Sequence, residues 1–140
     1  MTEYSEKQLQ IMDTALKLFS EKGYDKTSIR DIAHAADVNV AMVSYYFGSK
    51  EKLLEALFKN HFSFITTTLE SILYEKESSA FEKVERIIDV FIDTLFSRQK
   101  FNQLMMRESS VLNEGPLFDM ILEMKTKNRK LVERAVKSGQ

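Results

Sequence analysis

The chain has 140 residues, with 20 Lys and Arg against 21 Asp and Glu, so its net charge of −1 gives no overall pull toward nucleic acid. Cysteine is absent, which excludes disulfides, thiolate zinc sites and cysteine nucleophiles. Apolar residues make up 44%, enough for a packed core, while a single proline and four glycines favour long helices over strands.

Ser5 and Gln8 form a capping box that starts a first helix, and Gly23 ends it after Lys22. Its buried stripe is Ile11, Ala15, Leu18 and Phe19. Thr27 or Ser28 caps a second helix through Ala35, with Ile29, Ile32 and Ala36 on one stripe. A turn centred on Ala36, Asp37 and Val38 leads to Asn39, the N-cap of a third helix ending near Tyr46. Val43 and Phe47 lie four apart on its inner face. Val40, Ala41, Ser44 and Tyr45 face out. Two short helices joined in this way make a helix-turn-helix, whose second helix fits the DNA major groove.

Gly48 resets the chain, and Ser49 caps a long fourth helix that meets no breaker before the polar patch at Glu75–Ser79. Ser79 and Glu82 cap a fifth helix expected to bury Phe81, Val84, Ile87, Ile88, Phe91, Leu95 and Phe96. A break is expected over Arg98–Asn102, then a sixth helix from about Gln103 to Val111. Asn113–Gly115 reads as a loop. Pro116 suits the first position of a seventh helix that runs to about Lys137. There is no strand pattern, repeat or low-complexity tract. The fold expected is all-α, with a helix-turn-helix domain over 1–48 and an incomplete helical regulatory domain over 49–140. No run of about 18 apolar residues exists to span a bilayer. Met1–Gln10 is too polar for a secretion signal, so the chain reads as cytoplasmic, with no membrane partner.

Three pieces of sequence together are specific: LFSEKGYDKTS, the IRDIA core, and YYFGSKEKLL. They place residues 8–57 in close resemblance to the N-terminal domain of the TetR family of bacterial transcriptional regulators. Beyond Leu57 the likeness is one of helical character and length. Carried over residue by residue, the resemblance implies DNA contacts at Ser28, Arg30, Asn39, Val40, Ala41, Met42, Ser44, Tyr45, Tyr46 and Lys50. Chemistry supports these unevenly. Lys50 opposes the dipole at the start of the fourth helix, so a phosphate explains it better than helix stability does. Arg30 can reach a phosphate or read guanine, and a surface pair with Asp31 or Glu21 is the alternative. Tyr45 and Tyr46 can offer hydroxyls to phosphates, with Tyr46 open between that role and the core. Val40, Ala41 and Met42 can only meet thymine methyls or fit by shape. Phe47 is expected in the core. The sequence departs from the family pattern at Asp37, where the turn glycine is usual, at Val40, where lysine is common, and at Ser44, where tyrosine is usual.

The resemblance also implies an apolar pocket in the second domain. Its candidate lining is His61, Phe62, Ile65, Phe91 and Leu95, then Leu104, Met105, Phe118 and Ile121. Thr68, Tyr74, Arg107 and Glu108 are candidate polar groups nearby. Plain core is the competing reading of the same residues. His34 and His61 lack metal-ligand partners at suitable spacing, and no metal or cofactor is expected. Without a phosphate loop or a nucleophile elbow, the chain is not expected to be an enzyme.

The expected function is thus a ligand-responsive regulator, a repressor acting as a homodimer on a pseudopalindromic double-stranded operator. A small apolar or amphipathic effector would move the fourth helix like a lever. The alternative is a helical ligand-binding or protein-interaction module with a vestigial DNA domain. Family members usually continue past the equivalent of Gln140 into helices that form the dimer, so the chain is expected to be truncated. Residues 1–140 alone should therefore sediment as a monomer or weak dimer at micromolar concentration. A tight dimer would place the interface within the seven helices read here.

Overall fold

The computed structural model describes residues 4–108 and 114–138, and these form seven helices. They are α1 (Glu6–Lys22), α2 (Ile29–Ala35), α3 (Val40–Phe47), α4 (Lys50–Leu73), α5 (Ala80–Ser97), α6 (Gln99–Arg107) and α7 (Pro116–Lys137). No strand occurs among the described residues. The chain is all-α, as expected. It divides into two compact units, one of Met1–Lys59 with Lys100–Asn113, the other of Asn60–Gln99 with Glu114–Gln140. The first therefore holds the start of α4 and nearly all of α6 along with the three N-terminal helices.

Local chemistry sets the helix starts. Ser5 and Gln8 make a reciprocal capping box on α1, and Ser28 with Asp31 makes a second on α2. Asn39 accepts the Met42 amide at 2.7 Å to open α3, and Ser49 accepts the Lys52 amide at 3.1 Å to open α4. Ser79 caps α5 through the Glu82 amide. The Arg98–Asn102 break shrinks to one residue. Only Arg98 leaves helical geometry, at φ −117° and ψ 41°, and α6 resumes at Gln99, four residues earlier than expected. Nothing in that stretch is a proline or glycine, so the chain needs no longer interruption. The expected end of the sixth helix at Val111 and the loop residue Asn113 lie outside the described residues.

In the first unit, Ile11, Ala15 and Phe19 of α1 are fully enclosed with Ile32, Val43, Leu53, Phe58 and Leu104. The Phe58 and Phe101 rings meet edge to face at 4.9 Å, which brings α6 onto the start of α4. Phe47 is half-buried, so its place is at the margin of the core and not within it. Leu18 and Ile29 are half-buried as well.

In the second unit α5 packs on α7. Little of α5 is covered: Ile87 is buried and Val84, Val90 and Thr94 are half-buried. The other apolar residues expected inside are not enclosed. Phe81, Ile88, Phe91, Leu95 and Phe96 are exposed. Asn128 of α7 and Thr66 of α4 are both buried and share a short side-chain hydrogen bond.

Phe19 is 0% exposed, so Phe19→Ala should cost about 3–5 kcal/mol, against a clearly smaller loss for the half-buried Phe47→Ala. Urea unfolding of both variants followed by circular dichroism measures the two costs. Equal losses would contradict the packing described.

Candidate functional site

The outward surface of the first unit is built by two turns. The first, between α1 and α2, is set by Gly23, whose φ of 98° is open to glycine but strained for other residues. The Gly23 amide donates to the Phe19 carbonyl, and the buried Thr27 hydroxyl donates to the Gly23 carbonyl at 2.8 Å. The Tyr24 ring then meets Phe19 at a tilt, with ring centres 5.2 Å apart. Burial, with the nearby carboxylates of Glu51, Asp25 and Glu108, raises the Tyr24 phenol above its ordinary range.

The second turn joins α2 to α3. Asp37 takes the left-handed conformation at φ 55°, the role glycine usually fills, and aspartate is among the residues that tolerate it. Gln10 of α1 donates to the Ala36 carbonyl at 3.0 Å and ties this turn to the first helix. α3 then buries Val43 and turns Val40, Ala41, Ser44 and Tyr45 outward, with Tyr45 85% exposed. Met42 and Tyr46 are half-buried, and the Tyr45 and Tyr46 rings meet edge to face at 5.5 Å. Ser28, Arg30 and Asn39 are exposed. Asp31 is held by its Ser28 capping bonds and by Lys22 at 3.2 Å, which together draw its carboxyl below the ordinary range. That pairing engages Asp31, one of the two acids that competed for Arg30.

Lys50 has a local role. Its Nζ donates to the Tyr24 carbonyl at 2.9 Å and lies 4.1 Å from the centre of the Tyr24 ring. An ammonium carries three donors, so one contact leaves capacity for a phosphate.

The second unit holds a cavity of about 390 Å³ lined by Phe62, Ile65, Phe91 and Val132, with Asn128, Lys125 and Arg129. Its walls are almost wholly apolar, and the two cations come from α7. His61, buried beside it in sequence, receives the Arg98 guanidinium at 3.4 Å on Nδ1. Burial and then that cation push the imidazole down to about 4.

Residues 11–57 match the family described as bacterial regulatory proteins, tetR family. The probable HTH-type transcriptional regulator YttP of Bacillus subtilis is 35% identical over 94 residues, covering 67% of this chain and 44% of that protein. IcaR of Staphylococcus aureus, a negative transcriptional regulator of the biofilm operon icaADBC, is 39% identical over 59 residues, 42% of this chain and 32% of its own. The chain thus spans less than half the length of these curated relatives. Among solved structures, the hemolysin II transcriptional regulator HlyIIR is 26% identical, with a TM-score of 0.73 over 96% of this chain and 73% of that one. PfmR from Thermus thermophilus, a TetR-family regulator, shares the fold at 21% identity, with a TM-score of 0.79 over 99% and 72%.

The chain belongs to the TetR family.

Set on this TetR framework, the ten residues expected at DNA all lie in the first unit, from Ser28 to Lys50. The pocket residues divide. Phe62, Ile65 and Phe91 line the cavity. His61 and Ile121 are buried in the same unit without lining it, Phe118 is half-buried and Leu95 is exposed. Leu104 and Met105 belong to the first unit, and so do Arg107 and Glu108. Sequence reading missed Lys125, Asn128, Arg129 and Val132. A signal for Asn128 existed: it interrupts the stripe Ile121, Met124, Leu131 and Ala135 at helical spacing, and a polar residue there calls for a buried partner. Among the described residues no helix is long and apolar enough to cross a membrane.

The His61 shift has a direct consequence. A folded value near 4 against an unfolded 6.5 means that the unfolded chain binds the extra proton first. Stability carried by neutral His61 is present above pH 6.5 and is lost as pH falls toward 4. His61→Leu should flatten that part of the stability profile, read from urea unfolding at neutral pH and in the middle of the window.

Proposed function

We propose that this TetR-family chain carries the DNA-binding part, and some of the effector-binding part, of a cytoplasmic transcriptional repressor. The repressor acts as a homodimer on a pseudopalindromic operator. The observation that carries this reading is the outer face of α3. A well-capped short helix turns Val40, Ala41, Ser44 and Tyr45 to solvent, and an exposed face of that kind has no use in folding. The repressor sense draws on IcaR, named a negative regulator.

Lys50, Tyr45 and Tyr46 supply phosphate contacts in this reading, and Arg30 with Ser44 supplies base contacts. Ser28 and Asn39 bring helix-opening amides to the backbone. Val40, Ala41 and Met42 fit by shape against thymine methyls. Two such surfaces must sit about 34–36 Å apart to enter successive grooves on one face of DNA. The effector is a small apolar or amphipathic molecule. The cavity bounded by Phe62, Ile65, Phe91 and Val132 suits its apolar part. α4 contributes to both units and is the natural carrier of a signal between them.

Selection of duplexes from a random-sequence pool tests this. The purified protein should enrich an inverted repeat. Arg30→Ala should then change the preferred base at one position in each half-site, at about 1–3 kcal/mol of discrimination. Failure to enrich any site would favour the interaction-module alternative. A uniform loss across all sites would make Arg30 a positioning group.

A further inference from the structure

The far end of α6 reaches the turn between α1 and α2. Arg107 is 85 positions or more from the α1 terminus in sequence, yet its guanidinium donates to the Ser20, Glu21 and Lys22 carbonyls at 3.4, 3.1 and 3.3 Å. These are orphan carbonyls of a helix end, and a cation there also meets the favourable end of the helix dipole. Beside it the carboxylate of Glu108, only 7% exposed, accepts the Tyr24 amide at 2.9 Å. Such a charge-assisted bond fixes the peptide it holds. The next carbonyl along, that of Tyr24, accepts Lys50 Nζ, and the Tyr24 ring lies under the same ammonium. All of these groups belong to the first unit. Gly23 completes the fit, since a Cβ there would come 3.3 Å from Arg107 Nε.

We infer that Glu108, anchored by Arg107, is a positioning residue for DNA binding: through the backbone of Tyr24 it holds Lys50 at its phosphate. Nothing in the N-terminal motif contains this relay, because its controlling acid lies in a different part of the chain. The inference rests on the DNA-binding reading above. It predicts that Glu108 and Lys50 act as one unit.

The test is a double-mutant cycle on the 140-residue chain with a fluorescein-labelled mixed-sequence duplex at several salt concentrations. Lys50→Ala should lower the slope of log affinity against log salt by about 0.9. Glu108→Ala should weaken binding about three- to tenfold and lower the slope in the same sense. The double variant should bind no more weakly than Lys50→Ala alone. Glu108→Gln, which keeps an acceptor for the Tyr24 amide, should restore most of the affinity. A merely structural Glu108 would weaken binding in both backgrounds alike and leave the slope unchanged, and that result would overturn the proposal. Acetylation of Lys50 read by mass spectrometry gives an arm independent of DNA. Its rate should rise in Glu108→Ala while that of Lys52 stays constant, and an unchanged rate would also overturn the proposal. If the unaltered chain binds no duplex even at low salt, the DNA-binding reading falls and this one with it. Binding with additive effects overturns the relay alone.

Discussion

The way α1 is ended governs the rest of the first unit. A helix leaves its last carbonyls without internal partners, and burying them unpaired costs about 1–3 kcal/mol each. Here the Phe19 carbonyl goes to the Gly23 amide, and Arg107 serves the next three. From that end the chain turns at Gly23, seats Thr27 inside and presents Ser28 as the cap of α2. The direction of α2 then sets the Asp37 turn, which Gln10 secures from the α1 side. The exposed face of α3 is the last link in this sequence, so its placement inherits every earlier one.

The second unit depends on a different kind of constraint. Thr66 and Asn128 are buried polar groups: Thr66 bonds the Phe62 carbonyl of its own helix, and Asn128 is satisfied by Thr66. The pair fixes the register of α7 against the later turns of α4. A slip of one turn would take this partner from buried Asn128, while Thr66 would keep its bond to the Phe62 carbonyl. The cavity wall of Phe62, Ile65 and Val132 flanks this pair and shares its register.

What could be read from the sequence follows from the range of the physics involved. Caps, the α1 glycine, Pro116 and the outward face of α3 depend on residues within a turn or two of each other, and each was legible. The Arg98 break was overextended because a run of polar residues resembles a loop whether or not the helix continues. Phe47 and the α5 stripe were assigned to the core from periodicity, which tells which residues share a face but not whether anything lies over it. Arg107 and Glu108 could not be placed by pattern at all. Their partners are the backbone atoms of a turn more than eighty residues away, and backbone carbonyls leave no mark in a sequence.

The open side of α5 sets how the protein behaves as a solute. Phe81, Ile88, Ile92, Leu95 and Phe96 recur at helical spacing, so they form one oily strip along about four turns of helix. Water wets such a strip at a free-energy cost proportional to its area. Sulfate and phosphate, which raise that cost, will push the chain toward self-association, while urea well below the unfolding range will disperse it. Its concentration limit in a tube is therefore governed by buffer composition more than by the near-zero net charge.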